Sequence, residues 1–275
     1  DDCGQKAALE CAESLPVGKV KIAKLPHKDA NECLQKGEGK AIIDAIWRAK
    51  DWRPDGIFSS HSIIDEISEP TVNSTVSYPY PKLNSMTRGI RTGLITICAG
   101  TGAGKSTFIK EIAYDLYKNG HTVGMIMLEE SKAITMQSLI SISLERNIIS
   151  PTDGSVITKE FIKQAYWENF NDNEVHLYDT QGVNDIDVVI NRIQWMVKGM
   201  NCKYIFLDPI SVLVASLTGQ VTDERRTIDS IVVKLRNIIQ DLNISLFLVS
   251  HLSRPQGKGH EDGAPVKISE LRGSS

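Results

Sequence analysis

Leu94-Ile95-Thr96-Ile97-Cys98-Ala99-Gly100-Thr101-Gly102-Ala103-Gly104-Lys105-Ser106-Thr107 decides how this chain is read. Leu94–Ala99 is a short, continuously apolar run that stops at glycines, which predicts a buried strand. After it the period changes. Ile109, Ile112, Ala113 and Leu116 share one face at helical spacing, so Ser106–Tyr117 is expected as a helix. A glycine-rich turn between a buried strand and a helix is the setting of a phosphate-binding loop. Glycines let backbone N–H groups point inward with no Cβ in the way, and the helix N-terminus adds a partial positive charge. The expected nucleotide-binding residues are Gly100, Thr101, Gly102, Ala103, Gly104, Lys105, Ser106 and Thr107. Lys105 has the reach for the β- and γ-phosphates, and Ser106 the hydroxyl for Mg²⁺. Ala99 stands where the strict pattern has glycine, a mild departure. The bland alternative is a glycine-rich turn that binds nothing, and the Gly-Lys-Ser-Thr sequence argues against it.

Outward from this unit, strands and helices alternate. Strands are expected at Thr122–Leu128, Glu174–Tyr178, Tyr204–Leu207 and Ile244–Val249. Helices are expected near Lys132–Arg146, Thr158–Asn169, Asp185–Met200 and Asp223–Leu242. Largely apolar strands separated by helices imply an α/β fold with a mainly parallel sheet flanked by helices. Chemistry gathers at the strand ends, where open α/β sheets bind ligands. Tyr204-Ile205-Phe206-Leu207 ends in Asp208, a candidate for the Mg²⁺ shell beside Ser106. Met125-Ile126-Met127-Leu128 ends in Glu129-Glu130. Glu129 is assigned to orienting or deprotonating the attacking water; Glu130 fits better as the start of the next helix. Phe247-Leu248-Val249-Ser250 ends in His251, read either as a γ-phosphate contact or as a structural hydrogen-bonder. The polar, glycine-rich stretch Ser253–Gly263 that follows suits backbone-phosphate contact, although Glu261 and Asp262 dilute its charge, and a solvated hairpin is the alternative.

Upstream of Lys82 the pattern is weaker. Residues 1–55 read as a small α/β piece, with a helix at Gly4–Leu15, a strand at Lys19–Leu25, a turn at Lys28–Glu32 and a helix at Gly39–Ala49. Serines, prolines and asparagines crowd residues 56–81, which read as a linker. Ile63, Ile64 and Ile67 form a short amphipathic segment within it, packing on its own domain or on a neighbouring subunit. The 82–275 portion is expected as the main domain, cut at its C-terminal end. The 275 residues are 41% hydrophobic and 24% charged, which excludes a disordered chain or a disulfide-dense miniprotein. With 31 Lys+Arg against 34 Asp+Glu, the net charge of -3 excludes coating DNA by bulk charge; nucleic-acid contact requires a local basic surface. Five cysteines with no CxxC spacing build neither a zinc site nor a disulfide framework, so a reducing compartment is expected. No run approaches the roughly 18 apolar residues of a membrane span, and a cytoplasmic setting is the default.

Taken in order, Ala99–Thr107, Leu128-Glu129-Glu130-Ser131, Ile205-Phe206-Leu207-Asp208-Pro209-Ile210-Ser211, Thr222-Asp223-Glu224-Arg225, His251-Leu252 and Glu270-Leu271-Arg272-Gly273-Ser274 resemble the motifs of phage bifunctional primase–helicases. Twinkle and the wider DnaB-like replicative helicases are more distant relatives. The resemblance implies a RecA-like P-loop ATPase that assembles into a ring, usually a hexamer, around single-stranded DNA. It implies that Lys105, Ser106, Glu129, Asp208 and His251 are the phosphate lysine, metal ligand, catalytic glutamate, Walker B aspartate and phosphate-sensing histidine. Arg272 matches an arginine near the nucleotide, or is a solvated residue. Arg254 and Lys258 fall on a DNA-binding loop. Residues 1–55 resemble the end of a TOPRIM primase domain, with Asp1 and Asp29 on its motifs. The upstream carboxylates of that domain are absent, so primer synthesis is not expected. The family's arginine finger is expected beyond Ser275; such a group is worth about 10³–10⁵ in rate. The implied activity is ATP- or dTTP-driven, Mg²⁺-dependent translocation and 5′→3′ unwinding at a replication fork, with replisome proteins as further partners, in a bacterial or phage-infected cell. A RecA/RadA-type recombinase and a non-motor nucleotide-binding scaffold are the rival readings.

Overall fold

The computed structural model describes residues 2–16, 19–52, 60–68, 76–100, 102–171, 173–179, 185–217 and 224–251. The chain divides into two compact units, Asp1–Val72 and Asn73–Ser275.

In the first unit, α1 (Asp2–Glu13) precedes β1 (Lys21–Ile22), α2 (Ala30–Gln35), α3 (Gly39–Trp47), β2 (Lys50–Asp51), a 3₁₀ turn (Ser60–Ile63) and α4 (Ile64–Ser68). The strand expected over Lys19–Leu25 shrinks to β1, because its antiparallel partner β2 offers only two residues. The turn expected at Lys28–Glu32 instead starts α2. The Asp29 carboxylate accepts from Glu32 N at 2.8 Å, while the Glu32 carboxylate accepts from Lys28 N at 3.2 Å. This reciprocal arrangement satisfies N–H groups that a helix start would leave unpaired.

The second unit begins with α5 (Pro81–Thr87). Val76, Tyr78 and Tyr80, expected in a linker, pack into this unit's core. Tyr80 stacks on Phe108 at 5.1 Å. Beyond them run β3 (Gly93–Ala99), α6 (Lys105–Lys118), β4 (Val123–Met127), α7 (Lys132–Ser143), α8 (Lys159–Asn169) and β5 (Val175–Tyr178). The unit continues with α9 (Ile186–Met200), β6 (Tyr204–Asp208), α10 (Ile210–Leu217), α11 (Glu224–Leu242) and β7 (Ser245–His251). The five strands pair in the order β3-β7-β6-β4-β5, and each neighbouring pair is parallel.

Successive strand residues point to opposite faces, and both faces are apolar. Tyr204, Phe206, Phe247 and Val249 pack on the side of α6, α7 and α8. Ile205, Leu207, Leu246 and Leu248 pack on the side of α9, α10 and α11. Phe206 and Phe247, both fully buried, stack across β6 and β7 with centroids 4.5 Å apart. Burial on both faces explains why these strands read as continuous apolar runs. The sequence pattern does not predict α10. Its Ile-Ser-Val-Leu-Val-Ala-Ser-Leu run is apolar with little periodicity, and Leu213 and Val214 are buried.

Candidate nucleotide-binding site

At Gly100 the chain leaves β3, and Gly102 and Gly104 adopt φ of +77° and +83°. These are left-handed values that a side chain disfavours, and nothing lies within 4 Å of where a Cβ would stand on either residue. Gly104 is the N-cap of α6 and offers no side-chain cap. The first N–H groups of α6 therefore face a cradle left open by the described residues, the arrangement that binds anions. Ala103 and Thr107 are exposed, and Ser106 is half-buried. Lys105, 6% exposed, donates from Nζ to Gly100 O at 2.7 Å. Burial depresses the Lys105 ammonium below its ordinary pKa, and the carboxylates of Asp208 and Glu129 oppose that shift. A buried cation bent onto a backbone carbonyl, with anions nearby, fits a lysine waiting for phosphate.

Three further residues reach the same edge because parallel strands end on one side. In register, Ala99 lies beside His251 and Met127 beside Asp208. Leu128 N donates to Asp208 O at 2.7 Å and extends the β4–β6 ladder by one residue. Glu129 follows directly, with 60% of its side chain exposed and its carboxylate 3.9 Å from His251 Nε2. His251 Nδ1 is buried with no hydrogen-bond partner among the described residues. Asp208 is 5% exposed. Burial raises its carboxyl pKa, a hydrogen bond from Ser106 opposes this, and Glu129 and Glu130 add to it. Ser106 and Asp208 thus put a hydroxyl and a buried carboxylate side by side at the cradle, a hard-oxygen pair suited to magnesium.

The structure thus brings together Gly100, Gly102, Ala103, Gly104, Lys105, Ser106, Thr107, Glu129, Asp208 and His251. Thr101, Arg254, Lys258 and Arg272 lie outside the described residues. Glu130 differs from expectation. Ser131, not Glu130, caps α7, accepting from Ile134 N. The Glu130 carboxylate instead accepts from Lys110 Nζ at 2.8 Å and from Thr135 Oγ1 at 2.7 Å. Lys110 escapes the sequence reading, although it stands one helical turn after Ser106 on the stripe shared with Ala113 and Tyr117. A lysine in an apolar stripe is a signal for a buried anion partner.

Residues 75–275 match the family model of the DnaB-like helicase C terminal domain. The DNA helicase/primase of Enterobacteria phage T3 is 37% identical over 286 aligned positions, which take in all of this chain and half of that protein. The chain therefore spans about half the length of this curated relative. Among solved structures, one ATPase domain aligns with a TM-score of 0.57 at 21% identity, over 80% of this chain and 79% of that one. A DnaB-like replicative helicase, solved in a study of its interactions with primase, aligns with a TM-score of 0.60 at 18% identity, over 99% of this chain and 63% of that one. These structures share the RecA-like fold of a mainly parallel sheet flanked by helices, and the ordered motifs, the phage relative matched along the whole chain and the domain match agree: this chain belongs to the DnaB-like helicase C-terminal domain family.

Proposed function

We propose that this chain is the motor portion of a replicative DNA helicase, which hydrolyses a nucleoside triphosphate to translocate on single-stranded DNA and open the duplex ahead of it. The observation that carries the reading is the convergence of Lys105, Ser106, Asp208, Glu129 and His251 on one uncapped helix N-terminus. In this reading the glycine loop from Gly100 to Gly104 and the first turn of α6 hold the β-phosphate through backbone N–H groups. Lys105 releases Gly100 O and turns to the β- and γ-phosphates. Ser106 and Asp208 would hold Mg²⁺, which when bound neutralises charge developing on the phosphates. Glu129 orients the attacking water and takes its proton. His251 donates to the γ-phosphate, and loss of that contact on hydrolysis is felt at the end of β7, where the chain leads into the stretch carrying Arg254 and Lys258. Those two residues contact the DNA backbone, and Arg272 lies near the nucleotide.

The substrate is ATP or dTTP. The working assembly is a homo-oligomeric ring, hexameric, with nucleotide between subunits, acting at forks beside other replisome proteins in the cytoplasm of a bacterial or phage-infected cell. In this reading residues 1–55 correspond to the C-terminal part of a TOPRIM domain, 56–81 to the connecting segment and 82–275 to the motor. No helix among the described residues is long and apolar enough to cross a membrane. DNA-stimulated hydrolysis together with strand displacement on a forked substrate, measured on the full-length protein, tests the proposal. Filaments on electron micrographs would favour a recombinase instead. Saturable nucleotide binding without DNA-stimulated turnover would leave only a scaffold.

A further inference from the structure

Glu129 is placed for a demanding task with little of its own to hold it. Most of its side chain is exposed, and its ion-pair partner among the described residues is His251 at 3.9 Å. Its two chain neighbours are held firmly. Leu128 is tied by its N–H to the Asp208 carbonyl at 2.7 Å. Glu130 enters a cluster in which Lys110 Nζ lies 2.8 Å from its carboxylate and 3.1 Å from Ser138 Oγ, while Thr135 Oγ1 donates to it at 2.7 Å. Lys110 is 5% exposed and Thr135 1% exposed, while 21% of the Glu130 side chain reaches solvent, so this is a largely buried ion pair whose ammonium also meets the Ser138 hydroxyl. Its members come from α6, from the segment after β4 and from α7. Lys110 shares α6 with Lys105 and Ser106, so the helix that presents the phosphate-binding groups also grips the residue next to Glu129.

We infer that the Lys110–Glu130–Thr135 cluster is a positioning clamp that fixes the Glu129 carboxylate relative to the phosphate cradle. The clamp touches no substrate; Lys110, Glu130 and Thr135 are positioning residues that act through the Glu129 backbone. A displacement of about 1 Å at a catalytic group can lower turnover about 10²-fold without weakening binding. The clamp thus governs the chemical step and not nucleotide affinity. The inference rests on the hydrolysis reading given above.

The experiment uses the full-length protein, including the segment expected to carry the arginine finger, with Mg²⁺-ATP and single-stranded DNA. It reads the single-turnover cleavage rate, the Kd for a non-hydrolysable triphosphate, the Kd for ADP–aluminium fluoride and the melting temperature. Thr135→Val removes one hydroxyl at constant volume, and Lys110→Met removes the cation. Cleavage is expected to slow about tenfold in Thr135→Val and about 10²-fold in Lys110→Met. Affinity for ADP–aluminium fluoride should fall in parallel, with the triphosphate Kd within about threefold of wild type. Lys110→Met combined with Glu130→Met replaces the ion pair by apolar contact. It should regain melting temperature while cleavage stays slow. Recovery of cleavage together with stability in that double variant overturns the clamp, since the pair is then only structural. Equal cleavage rates in wild type and Thr135→Val also overturn it. A wild-type full-length protein, carrying the segment expected to supply the arginine finger, that binds the triphosphate and never cleaves it overturns the hydrolysis reading and the clamp with it.

Discussion

Replacing Glu129 by Gln and, separately, Glu130 by Leu perturbs two adjacent carboxylates whose surroundings differ sharply, and the structure sets a different magnitude for each. The Glu129 side chain is 60% exposed and lies 3.9 Å from its ion-pair partner, so folding loses almost nothing with its charge. A change within about 0.5 kcal/mol is expected, as for exposed sites in general. At about 2–4 °C per kcal/mol for a unit of this size, melting should move by less than about 2 °C. Cleavage should fall by about 10²–10⁴, the usual worth of a general base. Glu130→Leu leaves the ammonium of Lys110 buried without its anion. Stranding such a charge costs about 3–5 kcal/mol. The lower end applies because 21% of the Glu130 side chain still reaches solvent. The melting temperature should therefore drop by about 6–12 °C. Differential scanning fluorimetry and single-turnover hydrolysis on the same preparations separate the two profiles. A Glu129→Gln variant that melts many degrees lower, or keeps more than about a tenth of wild-type turnover, refutes the assignment. So does a Glu130→Leu variant as stable as wild type.

Further outcomes follow from local geometry. Gly104→Ala forces a Cβ into φ +83° with no neighbour to strike, so only the backbone penalty of about 1–2 kcal/mol should appear in a thermal melt, while titration with a fluorescent triphosphate shows clear loss of affinity. Phe247→Ala removes a fully buried ring stacked on Phe206 and should cost about 3–5 kcal/mol in urea unfolding. Burial pushes the Cys202 thiol up to about 12, so iodoacetamide at mildly alkaline pH should label exposed Cys11 and spare Cys202 in the folded chain. With a folded-state value above the unfolded one, the stability this thiol contributes is complete below about pH 8.5 and is lost as pH rises toward about 12. That decline should be absent in Cys202→Ala, and an equal decline in both proteins would remove Cys202 as its source.

Legibility follows the range of the determining forces. The β3–loop–α6 unit is readable because its signals are local: an apolar run, glycines at left-handed positions and a helical stripe over the next turns. The same holds for β4, β6 and β7, each a largely apolar run ending at a polar residue, for the alternating β5 (Val-His-Leu-Tyr), and for α9, whose start is marked by the Asp185 carboxylate accepting from Asp187 N at 2.7 Å. α10 escapes detection because its short run is apolar on nearly every side, so the face that the fold buries through Ile210, Leu213 and Val214 does not stand out as a period. α2 escapes because the Asp29 cap has the same composition as a turn. The β1 strand is overextended in the sequence reading because pairing length is set by a distant partner, Lys50–Asp51. Glu130 is misassigned because its sequence position suits a helix start, while the group that binds it comes from α6.

The amino-acid sequence by itself determined that a glycine-rich loop joins a strand to a helix, that the sheet is parallel and covered on both faces, and that Asp208, Glu129 and His251 stand at strand ends. Each of these depends on residues close together in the chain. Only the tertiary structure decided the order β3-β7-β6-β4-β5, which sets His251 beside Ala99 and Asp208 beside Met127. It alone decided that Lys110 is buried against Glu130 and that Glu129 stays exposed. Strand order and burial depend on which apolar faces meet across long stretches of chain, and no local pattern encodes which partner a buried charge will find.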